Sequence, residues 1–138
     1  ILERASLGKS EDLAGQKPVL LIDDEASIRK LGARMLGRLG LESYSTGSGT
    51  RAVELLQRNP TRFSAVILDL MMPIMSGART LEKIRKVAPG LPFVICSAYG
   101  RQEVAERLGE LMPELVLHKP YRLEQLAAAM RKALSGSS

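Results

Sequence analysis

The stretch VILDLMMP, Val66 to Pro73, ends an apolar run on one carboxylate and follows it with three more apolar residues. A short apolar run of this kind, bounded by turn residues, reads as a strand buried on both faces. An ionised carboxylate at its end is costly unless it is paired, hydrogen-bonded or bound to a cation. Asp is also a common cap where a strand gives way to a loop, so Asp69 alone decides nothing. Other parts of the chain must converge on it.

The same change of period recurs along the sequence. VLLID, Val19 to Asp23, is a short buried-strand run, after which Ile28, Leu31, Met35 and Leu39 recur at helical spacing up to Gly40. LESYS, Leu41 to Ser45, alternates weakly like a strand, and Ala52, Val53 and Leu56 mark a helix stopped before Asn59-Pro60. AVILD is the third strand; Leu81, Ile84 and Ala88 share one face of the helix after it, which stops at Pro89-Gly90. PFVICS is the fourth, followed by a helix around Gln102 to Leu111 that Gly100, Gly109 and Pro113 crowd. LVLHK is the fifth, and Leu123, Leu126, Ala127, Met130 and Leu134 give a final amphipathic helix. Five strand–helix pairs with apolar strands predict an α/β fold. It is a flavodoxin-like, doubly wound (βα)5 sandwich with a five-stranded parallel sheet in the order 2-1-3-4-5. Ligands of such sheets bind at the carboxyl ends of the strands.

Composition bounds the rest. The chain has 138 residues, 45% apolar and 25% charged, the balance of one globular domain. Residues 1–17 have mixed charge and little periodicity and read as a tether or linker, 18–134 as the domain, and 135–138 as a tail. The chain opens on Ile rather than Met, which suggests a piece of something longer or a processed end. Cys96 is the single cysteine, so no intrachain disulfide forms, and its apolar surroundings read as core packing. No apolar run reaches membrane-spanning length, and the expected location is cytoplasmic. The net charge of +5 comes from Arg and Lys scattered over helix faces, and aromatics are 4%. Neither a basic stripe nor a stacking platform is present, which weighs against nucleic acid as a partner.

The polar anomalies fall together. Asp23 and Asp24 end the first strand, Asp69 the third, Ser97 the fourth and Lys119 the fifth. The predicted fold brings all of them to one edge of the sheet. Three carboxylates there repel one another unless a cation sits between them, and hard oxygen ligands suit Mg²⁺. Lys119 adds a compact positive charge for phosphate oxygens and Ser97 a hydroxyl donor. These are the parts of a phosphoryl-transfer site with a carboxylate nucleophile.

LLIDDE, VILDLMMPIMSG, ICSAY and HKP, in this order and spacing, resemble the receiver domain of two-component response regulators, from about Lys17 to Leu134. The resemblance implies that Asp69 is the phosphoacceptor, that Asp24 binds Mg²⁺ directly and Asp23 mainly through water, and that Met71 offers its backbone carbonyl to the metal. Mn²⁺ is expected to substitute. Ser97 takes the place of the switch hydroxyl, Lys119 contacts a phosphoryl oxygen, Lys119–Pro120 is expected to be cis, and Pro73 and Gly77 shape the loop after the acceptor. The implied partners are a histidine kinase or phosphotransfer domain as donor and a downstream target that the sequence does not name. A homodimer through the fourth helix, fifth strand and fifth helix is allowed. The domain would assist its own phosphorylation and dephosphorylation without being a turnover enzyme. It fits the C-terminal receiver of a hybrid sensor histidine kinase, and equally a stand-alone regulator or one excised from its effector.

The chain departs from the family at Val116, where an aromatic switch residue is usual. Tyr121 matches a different, commonly aromatic position. His118 alternates away from Lys119 along its strand and is read as uninvolved. GSGT at Gly47 to Thr50 follows the wrong strand for a dinucleotide loop, and GKS at Gly8 to Ser10 lacks the earlier glycine of a P-loop. Two other readings compete. An aspartyl-nucleophile hydrolase of the haloacid dehalogenase type wants a second acid where Met71 stands. A pseudo-receiver, a binding module independent of phosphorylation, would not need the acids and lysine intact. Apolar Met71 and aromatic Tyr99 flank the approach of a hydrolytic water, which predicts a persistent phosphoryl group.

Overall fold

The computed structural model describes residues 2–5, 13, 15–72, 75–113 and 115–135. In chain order the elements are β1 (Glu3–Ala5), β2 (Val19–Ile22), α1 (Ala26–Arg38), β3 (Ser43–Thr46), α2 (Gly49–Arg58), β4 (Ala65–Asp69) and α3 (Gly77–Val87). They continue with β5 (Phe93–Ser97), α4 (Arg101–Leu108), a 3-10 turn (Gly109–Leu111), β6 (Leu115–His118) and α5 (Leu123–Ser135).

Strands β3, β2, β4, β5 and β6 are parallel neighbours in that order. Counted without β1 this is the predicted 2-1-3-4-5 sheet with its five helices. One strand was not foreseen: β1 pairs antiparallel with the outer edge of β3, Arg4 opposite Tyr44. Three residues without a hydrophobic period give no strand signal of their own.

Burial on both faces explains the unbroken apolar strands. Along β2, Val19 and Leu21 face one core with α1 and α5, while Leu20 and Ile22 face the other with α2, α3 and α4. The same alternation runs through β4, where Ile67 joins the first core and Val66 and Leu68 the second. No described helix is long and apolar enough to cross a membrane.

Local signals set the ends. Ser48 and Ser76 cap α2 and α3, each hydroxyl accepting from the backbone three residues on, at 3.1 Å from Arg51 N and 3.2 Å from Arg79 N. Gly40 follows α1 with φ of 87°, a conformation that glycine takes at no steric cost. Two expected elements shift. The second parallel strand begins at Ser43, and α4 stops at Leu108, where Gly109 with φ of 54° diverts the chain into the 3-10 turn.

A candidate phosphoryl-transfer site

The carboxyl ends of β2, β4, β5 and β6 gather the predicted residues at one edge. Asp23 follows β2 and is 2% exposed, while its neighbour Asp24 lies exposed at the rim. Neither acid caps α1, whose N-cap is Glu25. Asp23 Oδ1 instead accepts from Glu25 N at 3.0 Å, which fixes the turn into the helix. Asp69, the last residue of β4, is 5% exposed. Carboxylate oxygens of Asp23, Asp24 and Asp69 lie within 4.8 Å of one another.

Lys119 reaches this cluster from the end of β6. Its Nζ lies 2.8 Å from Asp23 Oδ2 and 3.3 Å from Asp69 Oδ1. Burial works against the lysine's charge, but the hydrogen bond to Asp23 and the two carboxylate charges outweigh it and raise its pKa. Asp69 goes the other way. Burial foremost, then the charge of Asp23, pushes its carboxyl up to about 6, against the opposing pull of Lys119 and of the hydrogen bond from Met71 N. One lysine does not neutralise the cluster.

Ser97 is fully buried at the end of β5; its Oγ accepts from Tyr99 N at 2.9 Å, and its carbonyl accepts from Lys119 N at 2.8 Å. Met71 N donates to Asp69 Oδ1 at 3.3 Å, and the Met71 side chain is 45% exposed. The Lys119–Pro120 peptide is cis. Gly77 starts α3 with its N–H donating to Leu70 O at 2.9 Å, whereas Pro73 lies outside the described residues. Val116 is half-buried against the core, His118 is exposed, and Tyr121 is buried on the α5 side of the sheet. Burial raises the pKa of both the Tyr121 hydroxyl and the Cys96 thiol, so Cys96 is an inert packing residue. Sequence reasoning missed Arg107 of α4, which stacks on Tyr99 and reaches Met71. Nothing in its local sequence signals that reach.

The donor set fits a hard divalent cation. Three carboxylates converge, two of them buried, and burial together with the charge of Asp23 raises the pKa of Asp69. Mg²⁺ takes oxygen ligands in such numbers and completes its shell with water and phosphate.

A sheet wound this way, with acids and a lysine at its carboxyl edge, defines a doubly wound α/β domain with a polar site at its strand ends. The chain belongs to the response regulator receiver domain family, whose pattern it matches over residues 19–131. It is 32% identical over 126 residues to sensor kinase CckA of Brucella abortus (strain 2308), covering 91% of this chain and 13% of that protein. It is 33% identical over 122 residues to response regulator MprA of Mycobacterium sp. (strain KMS), covering 87% of this chain and 51% of that one. The chain therefore spans about half or less of these curated relatives. Among solved structures it resembles the receiver domain of sensor histidine kinase PA1611 from Pseudomonas aeruginosa PAO1. That match has a TM-score of 0.78 and 23% identity, and covers 88% of this chain and 99% of the other. The PA1611 receiver has a magnesium ion coordinated in its active-site cleft.

Proposed function

We propose that this receiver domain accepts a phosphoryl group on Asp69 from a phosphohistidine, carried by a histidine kinase or a phosphotransfer domain. The observation that carries the reading is Lys119 Nζ bridging Asp23 and Asp69 at 2.8 and 3.3 Å. Both hydrogen bonds to Asp69 fall on Oδ1, leaving Oδ2 as the attacking oxygen among the described contacts. The new P–O bond forms as the P–N bond to the donor imidazole breaks, and the imidazole leaves with the electron pair. Lys119 holds a phosphoryl oxygen and counters the charge that develops in transfer. Asp24 directly, Asp23 mainly through water, Asp69, and the Met71 carbonyl would hold Mg²⁺, with Mn²⁺ able to substitute. When bound, the ion supplies charge neutralisation and in-line orientation of the transferring group.

The acyl phosphate then biases a two-state equilibrium, with the Ser97 hydroxyl turning from Tyr99 N toward the phosphoryl group. The output surface is the face of α4, β6 and α5, which would also serve a homodimer or a downstream target. The working unit is 18–134 in the cytoplasm, with 1–17 as a tether whose strand β1 docks on the sheet edge. A pseudo-receiver would have no need of a buried, incompletely neutralised carboxylate such as that of Asp69.

Borohydride reduction of the acetyl-phosphate-treated protein tests the reading, because it converts an aspartyl phosphate to homoserine. Peptide mass should place homoserine at Asp69 in the presence of Mg²⁺. Homoserine at another acid, or at none, would contradict it.

A further inference from the structure

Four contacts run as a chain along the α4 side of the crevice, from Asp69 to Ser97. Met71 N donates to Asp69 Oδ1 at 3.3 Å, and Met71 Sδ lies 3.8 Å from Arg107 Nη1. The Arg107 guanidinium stacks on Tyr99, Cζ 4.6 Å from the ring centroid, and Tyr99 N donates to Ser97 Oγ at 2.9 Å. The acceptor carboxylate and the buried hydroxyl are thus joined through one side chain that belongs to neither of their loops. Glu103, one helical turn earlier, lies 3.7 Å from Arg107 Nη2 and steers the guanidinium from its own helix. Arg107 also closes one wall of a cavity of about 270 Å³ beside Met71 and Met72.

We propose that Arg107 is a positioning residue for the phosphoryl chemistry at Asp69: it latches Met71 to Tyr99, keeps the two loops closed against water and so prolongs the life of the phosphoryl group. The proposal rests on the phosphoacceptor reading above. Hydrolysis needs a water in line with the bond from phosphorus to Asp69. Its oxygen bonds to phosphorus as that bond breaks, the carboxylate leaves with the electron pair, and the water's proton passes to solvent with inorganic phosphate. The Met71 thioether and the Tyr99 ring offer that water no strong acceptor, and Arg107 holds them where it would approach. An exposed cation–π contact contributes ~0.5–1 kcal/mol, so freeing the loops should speed hydrolysis about two- to fivefold.

The test phosphorylates the full chain with acetyl phosphate and Mg²⁺, removes the donor and follows loss of the added mass. Arg107→Ala should shorten the half-life about two- to fivefold, and Arg107→Lys should stay within about twofold of the parent because its ammonium still sits on the ring. Combining Arg107→Ala with Met71→Ala should give less than the product of the single effects, since the two side chains act as a unit. A purely structural role would lower the Tm and leave the half-life alone. An unchanged half-life in Arg107→Ala, or strictly multiplicative effects, overturns the latch. Its contact is checked without phosphorylation by NMR of the metal-free protein. The Arg107 guanidinium protons should be shifted upfield by the ring and return on Tyr99→Leu, and free-arginine shifts in the parent would overturn the proposal. A parent that takes up no phosphoryl group fails the phosphoacceptor reading and the latch with it, whereas a phosphorylated parent with an indifferent Arg107 fails the latch alone.

Discussion

Asp69 is held at a cost to the fold. Its carboxyl is raised from 3.8 to about 6, so between those values the native state binds more protons than the unfolded chain. Stability attributable to this group is therefore highest below about pH 4, falls as pH rises, and reaches its full penalty above about pH 6, on the order of 3 kcal/mol. Asp69→Asn should accordingly stabilise the metal-free protein at pH 7 by about 1–3 kcal/mol, with the gain vanishing near pH 4. Thermal denaturation with chelator at both pH values measures it, and a variant no more stable than the parent at pH 7 would contradict the account. The sequence made Asp69 legible only in company, because Asp23, Asp24, Ser97 and Lys119 also fall at strand ends that the predicted fold brings to the same edge. It did not say which of Asp23 and Asp24 points inward. That choice depends on the exit angle of β2, which the bond from Glu25 N to Asp23 Oδ1 fixes only in three dimensions.

Elements whose period is strong were readable, and those governed by tertiary contact were not. Four of the five parallel strands announce themselves because burial on both faces demands unbroken apolar runs, whereas β3, Ser43–Thr46, buries mostly polar residues and gives only a weak alternation. Strand β1 and the early end of α4 do not, since one depends on docking to β3 and the other on the conformation of Gly109. The reach of Arg107 from α4 is invisible for the same reason. The junction of β4 with α3 is the tightest of these. A Cβ on Gly77 would stand 2.6 Å from Asp69 O, Leu70 Cα and Leu70 O, all of them backbone. The loop behind the acceptor would have to move, so Gly77→Ala should cost about 1–3 kcal/mol and slow phosphoryl uptake. A Tm and an uptake rate equal to the parent's would show that the loop has room to spare.

Taken whole, the molecule places its chemistry on the most rigid points available, the ends of strands buried in two cores. The proposed switch would move the loops beyond those ends while the sheet stays fixed. Val116 is half-buried in the core, and the ring beside the site is Tyr99, tied to α4 through Arg107. Strand β1 covers the edge of β3, which would otherwise present unpaired backbone groups. All of this presupposes that Asp69 takes a phosphoryl group, and intact mass decides the point most directly. After incubation with acetyl phosphate and Mg²⁺, the parent should gain the mass of one phosphoryl group, Asp69→Asn should gain none, and a chelator should abolish the gain. No gain in the parent, or an equal gain in Asp69→Asn, would contradict the account.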